Sequence, residues 1–197
     1  IYMSDVANSR IRNLLKPIIE LLSGIPSVVY GFFGLIVIVP FIQKVFNLPV
    51  GESGLAGSIV LAIMALPTII TVTEDAMRNC PRAMREASLA FGASQWQTIY
   101  KVVIPYSVSG ITSGVVLGIG RAIGETMAVL MVTGNAAVIP HTILEPLRTI
   151  PATIAAELGE APAGGAHYEA LFLLGVVLFF ISLLINFTVE AVSARKR

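Results

Sequence analysis

Four apolar runs, each long enough to cross a membrane, constrain this chain more than any other feature of its sequence. A helix needs about 20 mostly apolar residues to cross the hydrocarbon core, and an isolated strand cannot satisfy its backbone in lipid. We therefore predict an all-α, multi-pass membrane protein with four membrane-spanning helices. The predicted spans are Ile25–Phe46, Leu55–Thr73, about Tyr106–Thr133 and Ala170–Val189.

The composition agrees with this class and argues against catalysis. Hydrophobic residues make up 55% of the 197 residues and charged residues 13%, against about 25% charged in soluble domains. The single cysteine, Cys80, excludes an internal disulfide or a multi-cysteine metal site. The sequence also contains no Gly-Lys pair for a phosphate loop and no HExxH motif. We expect no catalytic residue, metal or cofactor in this chain and no nucleic-acid partner.

The basic residues predict the orientation of the spans. Ten of the 13 lysines and arginines lie in three segments: Arg10, Arg12 and Lys16; Arg78, Arg82, Arg85 and Lys101; and Arg195, Lys196 and Arg197. Because short cytoplasmic segments are enriched in Lys and Arg, four spans place both termini in the cytoplasm. The segments of about Asn47–Gly54 and Gly134–Glu169 then lie outside. Residues Ser9–Ser23 alternate basic and apolar positions and predict an amphipathic helix at the cytoplasmic surface.

The segment between the second and third spans predicts a helical hairpin. A first short helix fits residues from about Pro81 to Phe91, and Gly92 is suited to end it. A second short helix begins at Ser94, where Gln97 three residues later completes a capping-box pattern. The hairpin would expose Trp96, which fits either a hairpin lying on the lipid surface or a docking element for a cytoplasmic partner.

This segment resembles the EAA motif of ABC importer permeases. It has Glu86-Ala87-Ser88, three residues, Gly92, nine residues, and then Val102-Val103-Ile104-Pro105. The sequence departs from the family pattern at Ser for the third Ala, Val for Ile and Ile for Leu. The resemblance implies that residues 81–105, here called the EAA loop, dock on a cytoplasmic ATPase. The residues assigned to this contact are Glu86, Ala87, Gly92, Trp96 and Pro105.

Three longer stretches resemble the phosphate-specific ABC importer permease, in its PstC-type subunit. They are LLKPIIELLSGIPSVVYGFFGL, LGIGRAIGETMAVLMVTGN and LRTIPATIAAELGEAPAGGAHYEALF. The resemblance covers residues 1–197 and implies the MetI-like permease fold, with these four helices as the last of six. It also implies a phosphate permease of the inner or plasma membrane, with a cytoplasmic C-terminus. The implied partners are a PstA-type second permease chain, two ATP-binding subunits that carry ATP and Mg, and an extracytoplasmic phosphate-binding protein.

Two charges interrupt the third apolar run. Arg121 and Glu125 are four residues apart, so we expect them on one helix face, about 6 Å apart along the axis. An isolated charge at mid-bilayer costs at least ~2.5–3.5 kcal/mol, so the pair must face protein or water. It is either a structural ion pair or part of the substrate path, where a guanidinium suits phosphate oxygens. Thr126 is a further anion donor, or satisfies its own backbone.

The remaining expectations concern neighbouring residues and rival functions. The glycines around Arg121 are expected to pack against a second permease chain: Gly110, Gly114, Gly118, Gly120 and Gly124. Glu74 and Asp75 are expected to be solvated or helix-capping, His141 and His167 to be solvated, and Ser27 and Tyr30 to line the path or bond a neighbouring helix. The rival functions are a permease for another oxyanion, such as molybdate or sulfate, and a membrane scaffold that does not conduct.

Overall fold

The computed structural model describes residues 3–4 and 7–194, and this part of the chain is helical and contains no β-strand. The predicted basic C-terminus, Arg195 to Arg197, lies outside the described residues. The helices are α1 Ser9–Gly24, α2 Ser27–Phe46, α3 Gly54–Arg78, α4 Arg82–Ala90, α5 Gln95–Ile123, α6 Met127–Val132, α7 Ile150–Glu157 and α8 Ala166–Ala194.

Four of these helices are long and apolar enough to cross a membrane. They are α2, α3, α5 and the segment Ala166–Thr188 of α8. The all-α class and the number of predicted spans are therefore confirmed among the described residues. The amphipathic segment predicted at Ser9–Ser23 also forms a helix, α1.

The predicted bounds of the third span are wrong at both ends. Helix α5 begins at Gln95 and ends at Ile123, whereas the sequence predicted a span from Tyr106 to Thr133. The second helix of the EAA loop is thus not short, because it continues directly into the membrane span. The apolar run beyond Ile123 is broken before α6, since Gly120 and Gly124 lower the helix propensity just where the break occurs.

Helices α2 and α3 contain Pro40 and Pro67, and both helices continue through these residues. In α2 a π-helical turn, Gly34–Ile38, precedes Pro40, and in α5 a second one, Ile99–Val103, precedes Pro105. Proline has no N–H for the helical ladder, and a wider turn is one way to accommodate this locally. Helix α3 also runs on past Pro67.

The chain divides into two compact units. The first contains α1, the stretch Leu66–Ile119 and the end of α8. Its buried core is formed by Met77, Cys80, Ile99 and Val103. Here α5 lies close against α3, because a Cβ added at Gly110 would come within 2.3 Å of the Ala76 Cβ. The first two of the three basic segments belong to this unit.

The second unit comprises Ile25–Ala65 and Gly120–Ile185. Its core joins α2, the start of α3 and α6, with Ile42, Val60, Met64 and Val132 almost completely buried. The two segments predicted to lie outside the cell meet in this unit. The backbone N–H of Gly54 donates to the Glu145 carbonyl over 3.1 Å, and that of Leu55 donates to the Ile143 carbonyl over 2.7 Å. These contacts agree with both segments lying on the same side of the membrane.

Candidate functional site

The tip of the EAA loop is a tight reversal built from local backbone contacts. Gly92 has φ +82°, a conformation that L-residues rarely adopt. Its N–H donates to the Leu89 carbonyl over 2.9 Å, and the N–H of Ala93 donates to the Ser88 carbonyl over 3.2 Å. These two bonds form the Schellman motif, which satisfies the last carbonyls of α4. The predicted helix end at Gly92 is therefore confirmed.

The predicted capping box starts the second arm of the loop. The Ser94 hydroxyl accepts from the Gln97 N–H over 3.3 Å, and the Gln97 side-chain oxygen accepts from the Ser94 N–H over 2.8 Å. Two donors that a helix leaves without intrahelical partners are thus satisfied reciprocally. The chain therefore ends α4, reverses direction at Gly92 and begins α5 at the capping box.

The EAA loop presents apolar side chains to its surroundings. Phe91 is 93% exposed and Trp96 is 65% exposed, and no residue of α4 is buried. An exposed apolar surface of this kind marks a contact with a partner or with the membrane. All five residues predicted to contact the ATPase are exposed: Glu86, Ala87, Gly92, Trp96 and Pro105. Their role in docking stays a prediction.

The base of the EAA loop, in contrast, is fixed to the rest of the first unit. The Arg85 guanidinium donates to the Met77 carbonyl at the end of α3 over 2.7 Å. The hydroxyls of Ser88 on α4 and Thr98 on α5 lie 3.0 Å apart and share a hydrogen bond. Thr98 is buried. The loop therefore combines an exposed tip with two arms that are bonded to each other and a base that is bonded to the end of α3.

The second candidate region is the break between α5 and α6. Arg121 lies in the last turn of α5, where a cation is favoured by the helix dipole. Glu125 lies beyond the helix end, and its carboxylate accepts from the Ala128 N–H over 3.1 Å. The expectation that both charges share one helix face is therefore wrong, because the helix ends between them. Glu125 instead stabilises the first turn of α6.

Thr126 also makes a local contact in this break. Its hydroxyl donates to the Gly124 carbonyl over 3.3 Å, and its role as an anion donor stays a prediction. Beside the break, α6 lies against α2. A Cβ added at Gly31 would come within 2.8 Å of the Ala128 Cα, so the two backbones nearly touch. Tyr30, the neighbour of Gly31, is buried and interacts electrostatically with Arg121.

The glycines around Arg121 do not form one face for a second chain. Gly110 and Gly114 pack inside the first unit against α3, where added Cβ atoms would meet Ala76 and Thr73. The expectation for these two residues is thus wrong, since their small size serves packing within the chain. Gly120 and Gly124 have open surroundings, and the only atom within 4 Å of either added Cβ is the Gly120 carbonyl oxygen. Gly118 is buried, so the exposed glycines of this row within the described part of the chain are Gly120 and Gly124.

One buried charge was not foreseen. The sequence predicted that Glu74 is solvated or capping, but it is 3% exposed. Its nearest cation is Arg78, with 3.7 Å between the Glu74 Oε1 and the Arg78 Nη1. Glu74 is buried because α5 packs closely on this end of α3, a contact between distant segments that composition does not reveal. Asp75, in contrast, is exposed as expected and lies 3.3 Å from the Lys16 ammonium.

A polar cluster in the second unit was also missed. Glu157, at the end of α7, forms an ion pair with Arg148 and accepts a 3.2 Å contact from the Nε2 of His167. Arg148 also donates to the Asn135 carbonyl over 3.0 Å. His167 is exposed but not simply solvated. No cluster of metal-ligating side chains occurs among residues 3–4 and 7–194.

A comparison of the sequence with models of known protein families agrees with this arrangement of an exposed helical hairpin and four membrane helices. The family described as "Binding-protein-dependent transport system inner membrane component" matches residues 1–197. The chain belongs to this family. The family resemblance and the fold predicted from the sequence are confirmed.

Individual relatives are similar over almost the whole chain. The probable ABC transporter permease protein YqgH of Bacillus subtilis is 42% identical over 100% of this chain and 64% of its own length. The phosphate transport system permease proteins PstC of Mesorhizobium japonicum and Pasteurella multocida are 37% and 35% identical. They match 94% and 92% of this chain, and 62% of their own lengths. The chain thus spans less than two thirds of these relatives.

A solved structure supports the fold independently. The chain is similar to a permease-containing crystal structure titled "Inward facing conformations of the MetNI methionine ABC transporter", with a TM-score of 0.73 and 20% identity. The similarity covers 98% of this chain and 78% of that chain. At this identity the likeness shows the fold alone.

Proposed function

We propose that this chain is the membrane-spanning part of a permease subunit in an ATP-driven importer of inorganic phosphate. The observation that carries the proposal is the EAA loop, with its exposed apolar tip, its two arms bonded to each other and its base bonded to α3. Relatives named as phosphate permeases favour phosphate as the substrate. The chain conducts and does not catalyse, so ATP and Mg are bound by a partner.

The proposed assembly contains this permease, a second permease chain of the PstA type, two ATP-binding subunits and an extracytoplasmic phosphate-binding protein. The EAA loop lies in the cytoplasm together with the C-terminus. There its exposed Phe91 and Trp96 contact an ATP-binding subunit. Closure of the ATP-binding subunits moves the loop, and the bonds at its base pass the movement to the membrane helices.

Arg121 is the residue proposed to attract phosphate in the membrane. It is half-buried at the end of α5, and a charge at membrane depth is expensive unless protein or water surrounds it. Glu125 does not lie on the same helix. Its bond to the Ala128 N–H holds the start of α6 and places a negative charge near the path. The two charges thus set the electrostatic potential along the path from two places, the end of α5 and the segment before α6.

The test is the stimulation of ATP hydrolysis by candidate substrates. The full-length protein is purified with its partner subunits and reconstituted in vesicles together with the binding protein. Phosphate, molybdate and sulfate are then compared for stimulated ATP hydrolysis and for uptake. We expect phosphate to be taken up and the other two oxyanions to give a much smaller response. Uptake of molybdate or sulfate in its place would support another oxyanion permease, and absence of any co-purified ATPase would support a scaffold.

A further inference from the structure

We propose that Arg85 is the positioning residue that ties the EAA loop to the second membrane helix, so that movement of the loop becomes movement of α3. The proposal rests on the proposed function, since it assumes that the EAA loop receives movement from an ATPase. Arg85 is not among the residues that the family motif assigned to ATPase contact. It lies directly before Glu86, on the side of the loop that faces the chain's own membrane helices.

The carbonyls at the end of α3 show why this residue matters. The last four carbonyls of a helix have no intrahelical partner. At the end of α3, the Asp75 carbonyl accepts from the Asn79 N–H over 3.1 Å, and the Ala76 carbonyl accepts from the Ser107 hydroxyl over 3.1 Å. The Met77 carbonyl accepts from the Cys80 N–H over 3.3 Å and from the Arg85 guanidinium over the shorter distance of 2.7 Å. Side chains that follow α3 in sequence therefore donate to two of these three acceptors, Ser107 of α5 to the Ala76 carbonyl and Arg85 of the EAA loop to the Met77 carbonyl.

The chemistry of the contact favours arginine. The guanidinium carries a fixed positive charge and meets the negative end of the α3 dipole. A hydrogen bond from a charged donor is stronger than a neutral one, and this one is partly shielded from solvent. The Met77 side chain is fully buried beside Cys80. The contact thus joins a movable surface helix to a part of α3 that is rigidly packed.

The geometry separates two tasks within the same loop. The exposed tip, with Phe91 and Trp96, is available for a partner. The Ser88–Thr98 bond holds the two arms of the loop together, whereas Arg85 holds the loop to α3. Loss of Arg85 leaves the tip and the arms intact but frees the base, so an ATPase would still dock and its movement would no longer be passed to α3.

The test compares Arg85→Gln, Arg85→Lys and the control Arg82→Gln in the full-length protein purified with its partners. Glutamine is neutral and too short to replace the contact, whereas lysine keeps the charge and most of the reach. Arg82 lies on the same helix and is exposed. We expect Arg85→Gln to retain the co-purified ATPase, and to lower the phosphate taken up per ATP roughly tenfold or more, as the loss of a charged hydrogen bond implies. Arg85→Lys should be partly defective, and Arg82→Gln should behave like the wild type.

A second measurement does not depend on transport. Chymotrypsin cleaves after aromatic residues, and Phe91 at the tip is 93% exposed. The protease is added to the full-length permease after the ATP-binding subunits have been removed, so that Phe91 is uncovered. A loop that is free at its base unfolds locally more often, so cleavage at Phe91 should be several-fold faster in Arg85→Gln and unchanged in Arg82→Gln. The proposal is overturned if Arg85→Gln keeps the wild-type uptake per ATP, if it loses the ATPase in proportion to uptake, or if its cleavage rate equals that of the wild type. If the proposed function is wrong, the wild-type protein itself will bind no ATPase or will show no response to phosphate. In that case the rate of cleavage at Phe91 still decides whether Arg85 holds the loop.

Discussion

Replacement of Gly92 is the most direct way to test whether the shape of the EAA loop matters for docking. Gly92 has φ +82°, and a Cβ added there would meet no atom within 4 Å. A substitution at this position therefore adds no clash with the chain's own atoms. Its cost is the backbone conformation alone, so a change in docking reports on the reversal itself.

The expected cost can be ordered by side chain. A residue other than glycine in the left-handed conformation costs about 1–2 kcal/mol, which changes an equilibrium by a factor of about 5–30. Asparagine adopts this conformation more readily than most residues, whereas a β-branched residue is a genuine outlier there. We therefore expect the fraction of correctly formed loop to fall in the order Gly92→Asn, Gly92→Ala and Gly92→Val.

The assay is the amount of ATPase that co-purifies with the full-length protein at equal membrane expression. Gly92→Val should retain little ATPase and Gly92→Asn most of it. The matched control is Gly159→Ala, which also places a Cβ in open space and has no positive φ, but which lies outside the EAA loop. Wild-type docking by Gly92→Val, or equal losses in all three variants, would refute the reasoning from backbone conformation.

Two further predictions test packing and topology. Gly31→Ala should lower the free energy of unfolding by roughly 1–3 kcal/mol, because its Cβ would lie 2.8 Å from the α6 backbone. The control Gly24→Ala meets nothing within 4 Å and should not lower it. Equal melting temperatures of the two variants would contradict the packing. Cys80 is buried, so a topology test needs Cys80→Ala combined with Ala83→Cys or Ala163→Cys, both at exposed positions. An impermeant thiol reagent added to intact cells should label the second variant only; the reverse pattern would invert the orientation.

The features that could be predicted from the sequence are those that depend on local backbone chemistry. Gly92 ends a helix because of its own conformational freedom, and Ser94 with Gln97 starts the next because both partners lie within one turn. The four apolar runs similarly predict spans through length and composition alone. In each case, the residues that cause the feature are neighbours in the chain.

The features that could not be predicted depend on contacts between distant segments. Burial of Glu74 requires α5 to pack on α3, and the bond from Arg85 requires α4 to fold back to the end of α3. The break after Ile123 is a different failure, because apolar periodicity continues through it. The signal for the break is Gly124 followed by Glu125, an acceptor for the first N–H groups of a following helix, whereas the four-residue spacing of the charges favours pairing Glu125 with Arg121.

That difference changes what mutations of the two charges should do. If Arg121 and Glu125 were an ion pair on one helix, exchanging them would restore the structure. In the observed arrangement, an arginine at position 125 has no acceptor for the Ala128 N–H, and a glutamate at position 121 opposes the dipole at the end of α5. We therefore expect the exchanged variant to be defective in assembly, and assembly alone cannot decide whether the charges serve transport.

Variants that separate the cap from the charge can decide it. Glu125→Gln keeps an oxygen acceptor for the Ala128 N–H, so it should assemble normally, whereas Glu125→Ala loses this hydrogen bond, worth about 1–3 kcal/mol. If the charge of Glu125 acts on phosphate, Glu125→Gln should show altered uptake in spite of normal assembly. Arg121→Ala should assemble and lose phosphate uptake, and Arg121→Lys should be partly or wholly defective because lysine lacks the planar fork of donors. Assembly and uptake are measured for each variant in the reconstituted complex. Normal uptake by a fully assembled Arg121→Ala would show that Arg121 does not act on the substrate. Normal uptake by Glu125→Gln would show that the role of Glu125 is limited to accepting the Ala128 N–H.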